Sequence, residues 1–305
     1  MASATAQAAN RPKRHVLRTV GRLAPLIPAV ILLLAFIAGP IIYSFYGSLT
    51  NRALTGYRAA RPQFVGIQNY IHLLTDPGFL YSLWLTVLFV VLSALVGQNV
   101  LGMALALLMR SVTKVVRAIT GAVVVCAWIL PEVVAAFACY AFFSTNGTLN
   151  TVLGWFGLPA TTPWLFSFPM GAVILANVWR GTAFSMMVYS AALNEVPPDV
   201  LEAASIDGAN AIQRFFRVTL PIIRRSISTN LMLITLQTLG VFTLIFVMTA
   251  GGPGTASSTM PVLAYQEAFK FSQIGYGTAM AVVTLVIGAI FSVVYIKILK
   301  PEVES

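Results

Sequence analysis

Residues Tyr81–Met109 read YSLWLTVLFVVLSALVGQNVLGMALALLM, an unbroken run without one charged side chain. Wound as an α-helix at 1.5 Å per residue, it is roughly 43 Å long, more than the roughly 30 Å hydrocarbon layer of a bilayer. In lipid no water satisfies a backbone N–H or C=O, so such a segment must bond within itself as a helix or close into a barrel. The ten-residue apolar/polar alternation of a barrel strand is missing. The run is therefore read as a membrane-spanning helix.

Working outward, five more apolar stretches have spanning length: Ala24–Leu49, Ile119–Phe143, Met170–Leu193, Ile227–Ala250 and Thr278–Leu299. Across all 305 residues, 58% are hydrophobic and 9% charged, where a soluble domain carries about 25% charged residues. That composition excludes a soluble enzyme and a disordered chain. The expected fold is all-α, a polytopic membrane protein with six transmembrane helices. Cys126 and Cys139 lie 13 positions apart in one apolar segment, on different helix faces, and are read as buried small hydrophobes without a disulfide.

The net charge of +10 comes from 19 Lys and Arg against 9 Asp and Glu. With the amino terminus inside, fourteen of these bases fall on the cytoplasmic side: Arg11, Lys13, Arg14, Arg18, Arg22, Arg110, Lys114, Arg117, Arg214, Arg217, Arg224, Arg225, Lys297 and Lys300. Arg52, Arg58, Arg61 and Lys270 fall outside, and Arg180 lies within a span. The imbalance predicts both termini in the cytoplasm. Bases spread over several loops make topology signals, not one nucleic-acid patch. Residues 1–23 form a basic cytoplasmic segment that should stay attached, since a long apolar run with Pro40 and no small-residue cleavage site follows it. Residues 24–300 form the membrane domain, with its core at 81–300, and 301–305 are a short cytoplasmic tail.

The longest predicted cytoplasmic loop, 194–226, reads NEVPPDVLEAASIDGANAIQRFFRVTLPIIRRS. Pro197-Pro198-Asp199 opens a helix with an anionic first turn, and Asp207-Gly208 supplies a turn at which glycine takes positive φ. Ala211, Phe215 and Val218 then recur at helical spacing until Pro221 interrupts the run. Such a pair of short helices with apolar residues suits docking to another protein, or lying on lipid headgroups.

Glu202-Ala203-Ala204, Gly208 and Leu220-Pro221 at these offsets resemble the EAA signature of ATP-binding-cassette importer permeases, with Val218 where isoleucine is usual. Glu202–Ala209 is similar to the carbohydrate, maltose-type branch in particular. Pro131, Asn146-Gly147, Leu149-Asn150, Trp179-Arg180, Thr249–Pro253, Tyr265, Ala268-Phe269 and Gly275-Tyr276-Gly277 extend the resemblance over most of the chain, most weakly before Tyr81. It implies a permease subunit in a bacterial or archaeal cell membrane that moves a di- or oligosaccharide such as trehalose or maltose. Its implied partners are a second permease, two ATPase subunits that bind ATP and Mg, and an extracytoplasmic solute-binding protein or lipoprotein. No cofactor belongs to this chain, and Gly251–Gly254 lacks the Gly-Lys-Ser/Thr of a phosphate loop. Glu202, Ala203, Ala204, Asp207 and Gly208 are the implied contacts with an ATPase subunit. The same branch includes glycerol-3-phosphate and glycerophosphodiester permeases, the nearest alternative.

Charges inside spans are costly and usually paired or functional. Glu132 comes out roughly 20 Å from the cytoplasmic end of its span at 1.5 Å per residue and Arg180 about ten residues in from the outer end of its own, so both sit near mid-membrane at similar depth; they are read as an ion pair or as separate groups facing a watery cavity. Asn177, Gly181 and Phe184 share one helix face with Arg180 beside it. In maltose-type permeases the sugar-contacting face lies at this distance before the loop, which implies a substrate path along it. Gln237, Thr238 and Val241 are the equivalent positions of the next span, with Thr238 and Val241 standing where the maltose case has amides. Gln98, Asn99 and Tyr189 are looser candidates, and each polar residue also suits a plain interhelical hydrogen bond. An intramembrane enzyme built on Glu132 and Arg180 is disfavoured, because His15 and His72 lie outside the spans and no Ser/His or multi-carboxylate cluster exists at depth.

Overall fold

The computed structural model describes residues 24–299 and is helical throughout its main elements. The expected basic segment 1–23, with its five bases, and the tail 301–305 lie outside the described residues. Among the described residues, four helices are long and apolar enough to cross a membrane: α1 (Ile27–Ser48), α3 (Pro77–Ser111), α7 (Pro169–Asn194) and α13 (Ile274–Leu299). A short α2 (Gln68–Thr75) leads into α3. Asp76-Pro77 fixes where α3 begins: proline occupies the first turn, and the Asp76 carboxylate accepts the Gly78 N–H at 2.9 Å.

Two of the six expected spans are not continuous helices. The third is α4 (Lys114–Ile129) followed by α5 (Glu132–Phe143), and the segment Glu132–Trp155 that α5 begins is bent by 107° from α4. Pro131 lacks an N–H and drives Leu130 out of the helical region, to ψ 135°. The fifth is α10 (Arg224–Leu239) and α11 (Thr243–Thr249), bent by 47° around Gly240–Phe242. Counting each bent pair as one crossing gives six. Between them in sequence lie α6 (Thr148–Trp155), α7, and the loop helices α8 (Pro198–Ile206) and α9 (211–222). The α12 helix (Met260–Tyr265) precedes α13.

The centre is the contact of α3 with α7, where small residues let the backbones approach. A Cβ added at Gly102 would lie 2.4 Å from Ser185 Cβ, and one at Gly97 2.3 Å from Val178 Cγ2. Phe89, Ala136, Val173, Leu244 and Val262 join α3, α5, α7, α11 and α12 in one apolar cluster. A second cluster, with Tyr189, Leu193 and Ile223, closes the end from which α8 and α9 project. The α1 helix packs on α13 at the periphery and leaves Phe36 and Ile42 exposed, as a lipid-facing helix should. Cys139 is buried as expected, but Cys126 faces the bundle surface, and both are free thiols.

At the end opposite α8, irregular chain is tied down by side chains. Asn150 is buried and uses its whole amide: Nδ2 donates to the Thr145 and Thr162 carbonyls at 2.8 Å each, and Oδ1 accepts from Trp164 Nε1 at 2.8 Å. Between the starts of α3 and α13, the Tyr276 hydroxyl donates to Asp76 Oδ2 at 2.8 Å, and the His72 ring lies 4.8 Å from the Tyr276 ring. Burial, and then the Asp76 charge, hold the Glu267 carboxyl above the usual carboxylate range, with His72 pulling the other way.

Two outcomes are expected. Asn150→Ala removes three hydrogen bonds worth about 1 kcal/mol each, so a loss of roughly 3 kcal/mol should appear in detergent unfolding curves. For Glu267 the folded-state pKa is raised. Its stability contribution is therefore intact below the unfolded value, about pH 4, and is lost as pH climbs through the folded value. Glu267→Gln should raise Tm at neutral pH and leave it unchanged near pH 4.

Candidate functional site

The loop forms a rigid helical elbow. Pro198 sits in the first turn of α8 with Asp199 beside it, favourable for the helix dipole. The carboxyl end closes with paired bonds, Ala209 N–H to the Ala204 carbonyl at 3.0 Å and Gly208 N–H to the Ser205 carbonyl at 3.1 Å. This closure needs a left-handed residue after the cap, and Gly208 has φ +81°. A Cβ there would meet open space, so the demand for glycine is conformational and not steric.

Asn210 and Gln213 then form a reciprocal capping box that starts α9. Arg214 Nη1 donates to Ser205 Oγ at 2.8 Å and ties the two helices together. Leu201 packs into the cluster of Tyr189, Leu193 and Ile223, which roots the elbow in the bundle. Pro221 does not end α9: a widened turn over Phe215–Thr219 shifts the bonding so that Leu220 N–H reaches the Phe215 carbonyl, and the chain turns only at Ile223. Glu202, Ala203 and Asp207 are exposed, Ala204 is half-buried, and Ile206 (87%) and Phe216 (60%) present bare apolar side chains.

Within the bundle the structure brings several candidate path residues together on facing helices. Asn177 is 4% exposed, and its Nδ2 donates to Ser93 Oγ at 2.9 Å and Thr238 Oγ1 at 3.5 Å. Gln98 Nε2 donates to the Asn177 carbonyl at 3.1 Å, and its amide fills the space above Gly181, where an added Cβ would fall 2.2 Å from Gln98 Cδ. Towards the elbow, Asn230 donates to Ser185 Oγ and the Tyr189 hydroxyl at 3.0 Å each, and Tyr189 in turn donates to Asn99 Oδ1. A buried polar ladder thus joins α3, α7 and α10. Its α3 rungs Ser93 and Gln98 lie in a widened helical stretch, Val90–Gln98.

Other candidates lie apart from this ladder. Gln237 is exposed, Val241 packs beside the apolar core, and Phe184 lies 5.8 Å from Trp128. Glu132 and Arg180 are both half-buried, but Glu132 does not turn to Arg180: Oε1 accepts the Leu244 N–H at 3.3 Å, at the open start of α11. The Arg180 Nε is buried without a hydrogen-bond partner among the described residues. The 107° bend also voids a depth counted by helical rise through Pro131. Sequence reasoning missed Ser93, Ser185, Asn230 and Trp128. The available signal was the rarity of polar side chains inside apolar spans, and it does not say which helices face one another.

A family model described as "Binding-protein-dependent transport system inner membrane component" matches residues 98–304. The chain belongs to this family. It is therefore a polytopic, all-helical membrane component of a transport system and not an enzyme. It is 32% identical to the trehalose/maltose transport system permease protein MalF of Thermococcus litoralis, over 90% of this chain and 91% of that one. It is also 32% identical to the sulfoquinovosyl glycerol transport system permease protein SmoG of Agrobacterium fabrum, over 91% and 89%. The fold is similar to a chain of a bacterial alginate transporter solved with an alginate pentasaccharide-bound periplasmic protein, with TM-score 0.78, 23% identity and 94% and 96% covered.

The fit of Gln98 over Gly181 predicts a specific coupling. Gly181→Ala alone should cost about 1–3 kcal/mol, because the amide must move. On a Gln98→Ala background the same change should cost little, which a double-mutant cycle of thermal denaturation measures.

Proposed function

We propose that the chain is a permease subunit of an ATP-driven importer for a carbohydrate, a di- or oligosaccharide of the trehalose or maltose kind. The single feature that carries this reading is the exposed, rigidly rooted elbow that displays Glu202, Ala203, Ala204 and Asp207 around the Gly208 turn. It is supported by relatives named for the transport of trehalose, maltose and sulfoquinovosyl glycerol.

In this reading the elbow lies on the cytoplasmic side, as do both termini. It seats in one of two ATPase subunits, while a second permease completes the path and a solute-binding protein or lipoprotein delivers the sugar from outside. Closure of the ATPases moves α8 and α9, and α7 and α10 follow as a rigid body because Leu201 and the polar ladder tie them together. The sugar passes the face of Asn177, Arg180, Gly181 and Phe184 and the opposing Gln237, Thr238 and Val241. The membrane is the plasma or inner membrane of a bacterium or archaeon.

A second reading rests on the Arg180 Nε, buried without a hydrogen-bond partner among the described residues, and on the sulfoquinovosyl glycerol named for SmoG: the cargo carries an acidic group, as in a sulfonated glycoside or a glycerol phosphate. Uptake of labelled neutral disaccharides and of acidic glycosides by the reconstituted complex separates the two, and Arg180→Gln should impair only acidic solutes. Glu202→Ala should lower uptake by roughly tenfold or more while leaving Tm unchanged, since an exposed side chain holds nothing in the fold. Gly208→Pro should abolish uptake. Normal transport by both variants overturns the coupling role.

A further inference from the structure

At the elbow end of the bundle a cavity of about 330 Å³ opens where α3, α4 and α7 converge. Arg110 is the next-to-last residue of α3, Arg117 lies in the first turn of α4, and Asn194 is the last residue of α7, so the walls meet at one level. Those walls divide chemically. Arg110, Arg117, Ser190 and Asn194 supply donors, while Met186 and Met187 supply a flexible apolar side. None of the lining side chains is acidic. Arg117 Nη2 donates to the Arg110 backbone carbonyl at 3.5 Å, which brings the Arg117 guanidinium to the end of α3 where Arg110 lies, and most of both guanidinium forks have no partner among the described residues.

The retention of bases near a membrane surface accounts for arginine in this loop, but not for two arginines walling a half-apolar cavity. We propose that this cavity binds the headgroup of an anionic phospholipid, its phosphodiester between Arg110 and Arg117 and its upper acyl chain along the methionines. Charge complementarity and the boundary position select a lipid over a soluble anion, which gains nothing from an apolar wall. The site also has a mechanical neighbour. Met186 belongs to the cluster with Tyr189 and Leu193 against which Leu201 of α8 packs, so a bound lipid braces the root of the elbow.

The test is native mass spectrometry of the assembled transporter titrated with phosphatidylglycerol or phosphatidylcholine. A surface arginine is worth about fivefold in acidic-lipid binding, so phosphatidylglycerol should be retained roughly 30-fold better. The double variant Arg110→Gln, Arg117→Gln should lose that preference, and the double variant to Lys should keep most of it. Gly121→Leu provides a second route: a Cβ at Gly121 meets open space on the cavity wall, so the larger side chain fits and evicts the lipid without disturbing the fold. Equal retention of the two lipids overturns the proposal. So does undiminished phosphatidylglycerol binding in both the Gln and the Gly121→Leu variants, or full displacement by inorganic phosphate, which assigns the site to a soluble anion.

Discussion

Everything in this molecule answers to one constraint: inside lipid, a backbone N–H or C=O without a partner costs several kcal/mol. Unbroken helices meet the constraint internally, which is why α3, α7 and α13 run continuously through apolar sequence. The two bent spans are where it must be met differently. Breaking the fifth span opens a new helix start at Thr243, whose first N–H groups have no carbonyl one turn back. Glu132, released into that position by the Pro131 break, accepts the Leu244 N–H. A carboxylate inside an apolar stretch is itself expensive, and here it offsets a second cost that the fold has incurred.

The same economy shapes the interior. Lipid provides no hydrophobic drive for one helix to prefer another over the surrounding chains, so association falls to close packing and to hydrogen bonds. Gly97 and Gly102 allow α3 onto α7, and the rungs formed by Ser93, Gln98, Asn177, Thr238, Ser185, Tyr189 and Asn230 then lock α10 to both. Bonds of this kind are individually modest, averaging about 0.6 kcal/mol in membranes. Their effect is on stiffness: three helices bonded at several heights cannot slide independently. With Leu201 seated in the same unit, displacement of the elbow becomes displacement of the bundle core.

The helices and turn of the elbow are shaped by local chemistry. Its proline start, its left-handed glycine and its asparagine–glutamine capping box each act within a few residues, so its two helices and the turn between them are legible in the amino-acid order of one short segment. Its exposed Ile206 and Phe216 are unusual for a segment in water and are suited to a partner surface.

The sequence by itself determined the class, the approximate ends of the long apolar helices and the helix–turn–helix of the elbow, because apolar length and turn chemistry are properties of neighbouring residues. It also flagged Asn177, Gly181, Gln98 and Thr238, since polar or minimal side chains are rare in apolar spans. What only the tertiary structure decided was partnership. The Glu132 carboxylate meets a backbone N–H 112 positions away and not Arg180, Gln98 fills the place a side chain at Gly181 would take, and Gln237 turns outward while its neighbour Thr238 turns in. Helical periodicity places a residue on a face, but which face meets which helix depends on packing among segments far apart in the chain, and on bends whose angle Pro131 and Gly240 permit but do not set.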